Sequence, residues 1–213
     1  MHTPIRPREM AQAQAALLLA IFLGVTLDRT LVIGPKYLLA VLELLLVFGI
    51  GITAPLRHSL GARLRRDFSL TLIALISLAN AASMFLVAGD LIQGASIPGK
   101  QLIYAAGAIF LTNIIIFSLW YWELDSPGLT GVHKHDTAPK FDFPQMESKL
   151  EETKDWEPTY FDYLYVSATN ATAFSPTDTM PLTHGAKVLM GLQSVVALIT
   201  VVLVTARAVN ILG

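Results

Sequence analysis

Five separate stretches of this chain are apolar around their whole circumference over lengths near the roughly 17 to 25 residues that a helix needs to cross a bilayer. They lie at about 10–27, 35–54, 68–92, 101–122 and 186–212. Inside hydrocarbon a backbone must close its own hydrogen bonds, so each stretch is expected to be a helix. The fold class that follows is an all-α integral membrane protein of about five transmembrane helices. Composition excludes the alternatives. Of 213 residues, 54% are hydrophobic and 15% charged, where a soluble domain carries about 25% charged residues. The net charge of −1 supplies no field for nucleic acid. The absence of cysteine removes disulfides, thiolate metal sites and a cysteine nucleophile. Arg6 and Arg8 precede the first stretch as in a secretory signal. That stretch ends in Thr-Leu-Asp-Arg rather than at a small-residue cleavage site, so it is expected to stay as an anchor.

Composition divides the chain into three parts. Residues 1–122 hold four of the five spans. Residues 123–158 hold nine of the sixteen acids together with Pro127, Pro139, Pro144 and Pro158, which predicts an aqueous linker with a short surface helix within 145–155. Residues 159–213 hold a polar, broken segment and the last span. Trp120, Tyr121 and Trp122 stand where the fourth span meets the linker, and amphipathic rings at that place predict a headgroup boundary. Basic residues decide orientation. Arg57, Arg63, Arg65 and Arg66 in the loop 55–67, with Arg6 and Arg8 two spans earlier, predict a cytoplasmic N-terminus and loop. By alternation the linker is then cytoplasmic and the C-terminus outside.

The segment 160–184, YFDYLYVSATNATAFSPTDTMPLTH, is too polar and too interrupted to be a sixth span. Tyr160 to Thr172 has helical potential, Pro176 and Pro181 stop it, and a long apolar helix follows. This is the layout of a re-entrant loop: a pore helix, an irregular return and a spanning helix. The region resembles the pore module of the potassium-channel superfamily, whose filter reads T-T-V-G-Y-G-D. Thr172, Ala173, Phe174, Ser175, Pro176, Thr177 and Asp178 fall on that filter without a gap. Pro181, Thr183 and Gly185 match the positions that follow it; Tyr165, Ser167 and Thr169 match pore-helix positions, and Gly191 falls near an inner-helix glycine. The strings WYWELD and FSPTDTMPLT also resemble those of bacterial membrane proteins related to these channels. The resemblance covers about 160–212, or 100–212 if the fourth span is the outer helix. It implies a homo-oligomer, a tetramer above all, carrying a monovalent cation across a cell membrane, with a bacterial inner membrane expected. It also implies a filter open to the outside, against the charge count. Either one of the first four stretches does not span, or the arginines lie outside, or the element is used upside down or not as a pore.

The departures from the filter carry chemistry of their own. Its two glycines become Ser175 and Thr177, and Pro176 fixes its own φ. A β-branched residue resists the positive φ that a carbonyl ladder uses. What remains is a loop of hydroxyls from Thr172, Ser175, Thr177 and Thr179 with the carboxylate of Asp178, suited to a hydrated or partly hydrated cation. Other candidates are weaker. Glu43 in the second span and Arg207 near the end of the last are intramembrane ionisable groups. Glu43 offers an alternative function, a proton-linked carrier. Gln193 and Ser194, with Asn80 and Asn113, are mid-span polar groups of the kind that join helices. The linker alternatively makes the protein a scaffold for a soluble partner. His133, Lys134, His135 and Asp136 lack the ligand set of a structural zinc site, so no metal is expected. The sequon Asn170-Ala-Thr172 falls in the pore-helix position, where no glycan fits. No nucleophile elbow, phosphate loop or paired intramembrane carboxylates point to an enzyme, and no cofactor is expected.

Overall fold

A computed structural model describes residues 7–27, 40–41, 44–45, 47, 59–93, 98–125, 138–148, 156–175 and 178–212. Helix α1 covers Pro7–Thr26, with proline at the first helical position, where its missing N–H costs nothing. Helix α2 covers Ser59–Ile92 and α3 Gly99–Asp125. Strand β1 is Phe141–Asp142 and the single turn α4 is Pro144–Glu147. Helix α5 is Tyr160–Ala173, strand β2 Met180–Pro181 and helix α6 His184–Leu212. Segments of α1, α2, α3 and α6 (Arg8–Thr26, Asp67–Leu91, Gly99–Asp125 and His184–Leu203) are long and apolar enough to cross a bilayer. They mark a multi-pass membrane protein. Of the expected span 35–54, Ala40, Val41, Leu44, Leu45 and Val47 are described, all helical, with Ala40 and Val47 in the core. The rest of that span lies outside the described residues.

Helix α3 is the hub of the described bundle, and packing along it gives the directions of α1, α2 and α6. Its later half, Ile115 to Leu124, shares a core cluster with Met10 to Ile21 of α1, Phe68 to Ile76 of α2 and Ala186 to Met190 of α6. Its earlier half, Leu102 to Ile109, clusters with Leu27 just past α1, Met84 to Leu91 of α2, and Val196 and Ile199 of α6. Helices α1, α2 and α6 therefore all run antiparallel to α3 and parallel to one another. One cross-link is specific: Trp120 Nε1 donates to Ser77 Oγ at 3.0 Å.

Two elements depart from expectation. Helix α2 begins well before residue 68, so Arg63, Arg65 and Arg66 belong to its first turns rather than to a loop. Alanine, arginine and leucine are good helix formers, and in LGARLRR they outweigh the single Gly61 with no proline to stop the helix. The acidic linker is not wholly aqueous. Glu123 and Asp125 end α3, and Phe141 and Phe143 are buried in the core. The ring of Phe141 lies 5.2 Å from Tyr121, and Phe143 stacks edge-on against Tyr163 at 5.4 Å and packs on Trp156 at 5.5 Å. The expected helix within 145–155 is the one turn α4, and residues 149–155 lie outside the described residues.

Candidate functional site

Helix α5 is set in place at its first turn. The Asp162 carboxylate reaches back to accept from the Thr159 backbone N–H and hydroxyl, both at 2.7 Å. This satisfies a donor at the helix start and puts negative charge at the positive end of the helix dipole. Asp125, the last residue of α3, takes the Tyr163 hydroxyl at 2.7 Å and the Lys140 backbone N–H, while Lys140 Nζ donates to Leu124 O. Tyr160 OH meets Ser118 Oγ at 3.0 Å, and its ring packs on Trp122. The start of α5 thus sits at the Asp125 end of the bundle.

Deeper in, α5 buries one face. Tyr160, Tyr163, Val166, Ser167, Asn170 and Ala171 recur at the three- and four-residue spacing of an amphipathic helix. Ser167 Oγ donates to Ile114 O at 2.6 Å, so at this point α5 has descended beside the middle of α3. Gln193 of α6, with no exposed surface, stands at the same level. Its Nε2 donates to Ser167 O at 2.9 Å and Ser167 Oγ at 2.7 Å. Its Oε1 accepts from Asn170 Nδ2 at 2.8 Å and from the Tyr121 hydroxyl. Asn170 Nδ2 also donates to Met190 O at 3.0 Å, and Ser194 Oγ approaches Asn170 Oδ1 at 3.3 Å. The Gln193 amide uses both donor hydrogens and two acceptor positions, tying α3, α5 and α6 together. Beside it Asn113 Nδ2 has only a long contact to Gln193 O, 3.4 Å, and Asn113 Oδ1 is buried with no hydrogen-bond partner among the described residues.

The chain then turns back. Phe174, at φ 52° and ψ 31°, ends α5 in the left-handed region, a conformation that a bulky side chain adopts at a cost. By Met180–Pro181 the chain is paired antiparallel with Phe141–Asp142, Phe141 opposite Pro181, and Leu182 N donates to Lys140 O at 2.9 Å. Since Lys140 is held by Asp125, β2 lies at the end of the bundle where α5 began. Thr183 caps α6, its Oγ1 accepting from Ala186 N at 3.3 Å.

The filter-like residues distribute as follows. Thr172 and Ala173 are the last residues of α5, not loop, and the Thr172 hydroxyl donates back within its helix, 2.9 Å from Ala168 O. Phe174, Ser175 and Asp178 are exposed on the single chain, whereas Thr179 is buried. Pro176 and Thr177 lie outside the described residues, as do Glu43, the tract 133–136 and the side chain of Arg207. Gly191 faces open space, since a Cβ built there meets nothing within 4 Å. Gln193 and Ser194 do join helices. The aromatic triplet turns inward: Tyr121 and Trp122 are fully buried and Trp120 is half-buried on α2. Position alone could not reveal that the Tyr121 hydroxyl serves the Gln193 amide. The signal available was Ser167 and Asn170, two polar residues three apart on the buried stripe of α5.

No protein-family model, curated protein or solved structure matches the chain.

Proposed function

We propose that the chain is one subunit of a cation-conducting membrane assembly whose path is lined by Phe174, Ser175, Asp178 and the outward face of α6. One observation carries this: a helix enters from the Asp125 end, reaches the level of Ile114 and Gln193, and gives way to a strand paired at the end where it started. Flanked by α3 and α6, this course of the chain supports the reading of a re-entrant pore loop. Non-helical backbone at membrane depth survives only when protein covers it or it lines water. On a single chain Phe174, Ser175 and Asp178 are exposed, which favours a path shared among copies, four in the proposed assembly.

The same geometry favours side-chain oxygens over a carbonyl ladder. With Ala173 helical and Phe174 left-handed, the return starts past Thr172, and the exposed side-chain oxygens it offers among the described residues are the Ser175 hydroxyl and the Asp178 carboxylate. A ring of carboxylates selects cations and suits one that keeps part of its water. The parallel directions of α1 and α2 favour a fifth crossing between Leu27 and Ser59, where residues 35–54 have the length and apolarity for it. The test is flux in liposomes. Monovalent cations should pass, and Asp178→Asn should reduce the flux about tenfold, the low end of what a charge-lined path adds to ion entry. No flux for any cation at either polarity overturns the reading.

A further inference from the structure

The helix directions bear on which side of the membrane the loop faces. Resting on the re-entrant reading above, we infer that the loop opens to the cytoplasm, so that the Asp178 ring is loaded from the cytosol. The start of α1, the start of α2, the end of α3, β1, β2 and the start of α5 all lie at one end of the bundle. That end receives Arg8 at the start of α1 and Arg63, Arg65 and Arg66 in the first turns of α2. The opposite end has Lys100 at the start of α3 and Arg207 near the end of α6. The count is four against two among the described residues of the spans. Lys140 and Lys187 add to the first end.

Positive residues close to span ends stay on the cytoplasmic side, while acids count little in that rule. The acidic linker therefore does not offset the arginines. It has a different effect: with the loop, it shares the cytoplasmic face. The exposed acids Glu147, Glu157 and Asp178 then lie on one aqueous side. At low ionic strength a cation entering from the cytosol meets a concentrating field before it meets the ring. The ligand class is a small hydrated cation from the cytosol.

The experiment uses the full chain, whose lack of cysteine leaves a clean background for single-cysteine labelling. Gln145→Cys, in the exposed turn α4, and Met180→Cys, in β2, report the loop side. Gln93→Cys, in the exposed turn after α2, reports the other side, and Glu147→Cys replaces Gln145→Cys if that variant fails to fold. A membrane-impermeant maleimide is applied to inside-out and right-side-out vesicles of the expression host. The expected result is about tenfold stronger labelling of positions 145 and 180 in inside-out vesicles, with the reverse for position 93, following the charge rule. Positions 145 and 180 labelled together from outside overturn the cytoplasmic mouth and leave the re-entry standing. Positions 145 and 180 labelled from opposite faces overturn the re-entry and this inference with it.

Discussion

Two buried amides on facing helices make opposite predictions. Gln193 has its polar atoms matched by Ser167, Asn170 and Tyr121. Gln193→Leu takes the acceptor from the Tyr121 hydroxyl and one of its bonds from the Asn170 amide, and should cost about 2 kcal/mol, the usual range for buried groups left unpaired. Asn113 gives little by comparison, having one long contact and an Oδ1 with no partner among the described residues. Asn113→Leu should be neutral or stabilise by about 1 kcal/mol, because it removes an unpaired acceptor. Thermal unfolding in one detergent measures both, and equal losses would contradict the assignment of Gln193 as the tie between α5 and α6. The sequence marked both residues as mid-span polar groups. It could not rank them, because satisfaction of an amide depends on what neighbouring helices bring to it, two of them for Gln193.

At the scale of the element, α5 depends on its attachment at the Asp125 end. Asp162→Ala removes the acceptor that holds the Thr159 N–H and hydroxyl, and should cost about 1 kcal/mol, as helix caps do. Phe141→Ala empties the space among Tyr121, Tyr163 and β2 and should cost about 3 kcal/mol. Both should lower cation flux more than they lower the helix content of the spans, because they loosen the loop and leave α2, α3 and α6 packed. Circular dichroism beside flux checks this.

The pH response of the same helix has a defined sign. Burial pushes the Tyr160 hydroxyl up to about 12 from 10.0. Its neutral form is favoured in the folded chain, so that stabilisation is full below pH about 10 and is lost as pH rises towards about 12. Tyr163 is raised as well, by burial first and by Asp125 next. Tyrosinate absorbance should therefore lag a tyrosine peptide, and detachment of α5 should accompany its appearance. The amphipathic stripe of α5 and its stop near residues 173–176 were legible beforehand, since spacing and proline are local signals. The strand pair was not, because Phe141–Asp142 and Met180–Pro181 are far apart in sequence and neither is long enough to show alternation.

For the whole molecule, the outward faces of α5 and α6 leave Phe161, Tyr165, Phe174, Val188, Leu192 and Val195 exposed on a single chain. Lipid can cover the aliphatic members, but not the exposed return with Ser175 and Asp178. The proposed assembly is expected to run as a tetramer in mild detergent, and native mass measurement decides it; a monomer across detergents would remove the shared path. Orientation also belongs to this scale, because it depends on charge at the two ends of the entire bundle rather than on any loop.

Membrane residence, the helical class and four of the spans were determined by the sequence alone, because each rests on apolar length and on the backbone's need to bond to itself. Only tertiary packing decided that α1 and α2 run the same way, that part of the acidic linker enters the core, and that Tyr121, Ser167, Asn170 and Gln193 meet. Such facts concern which faces of distant helices come together. A one-dimensional pattern gives each helix its buried side but no partner for it, and hydrogen bonding inside the bundle is set by the partner.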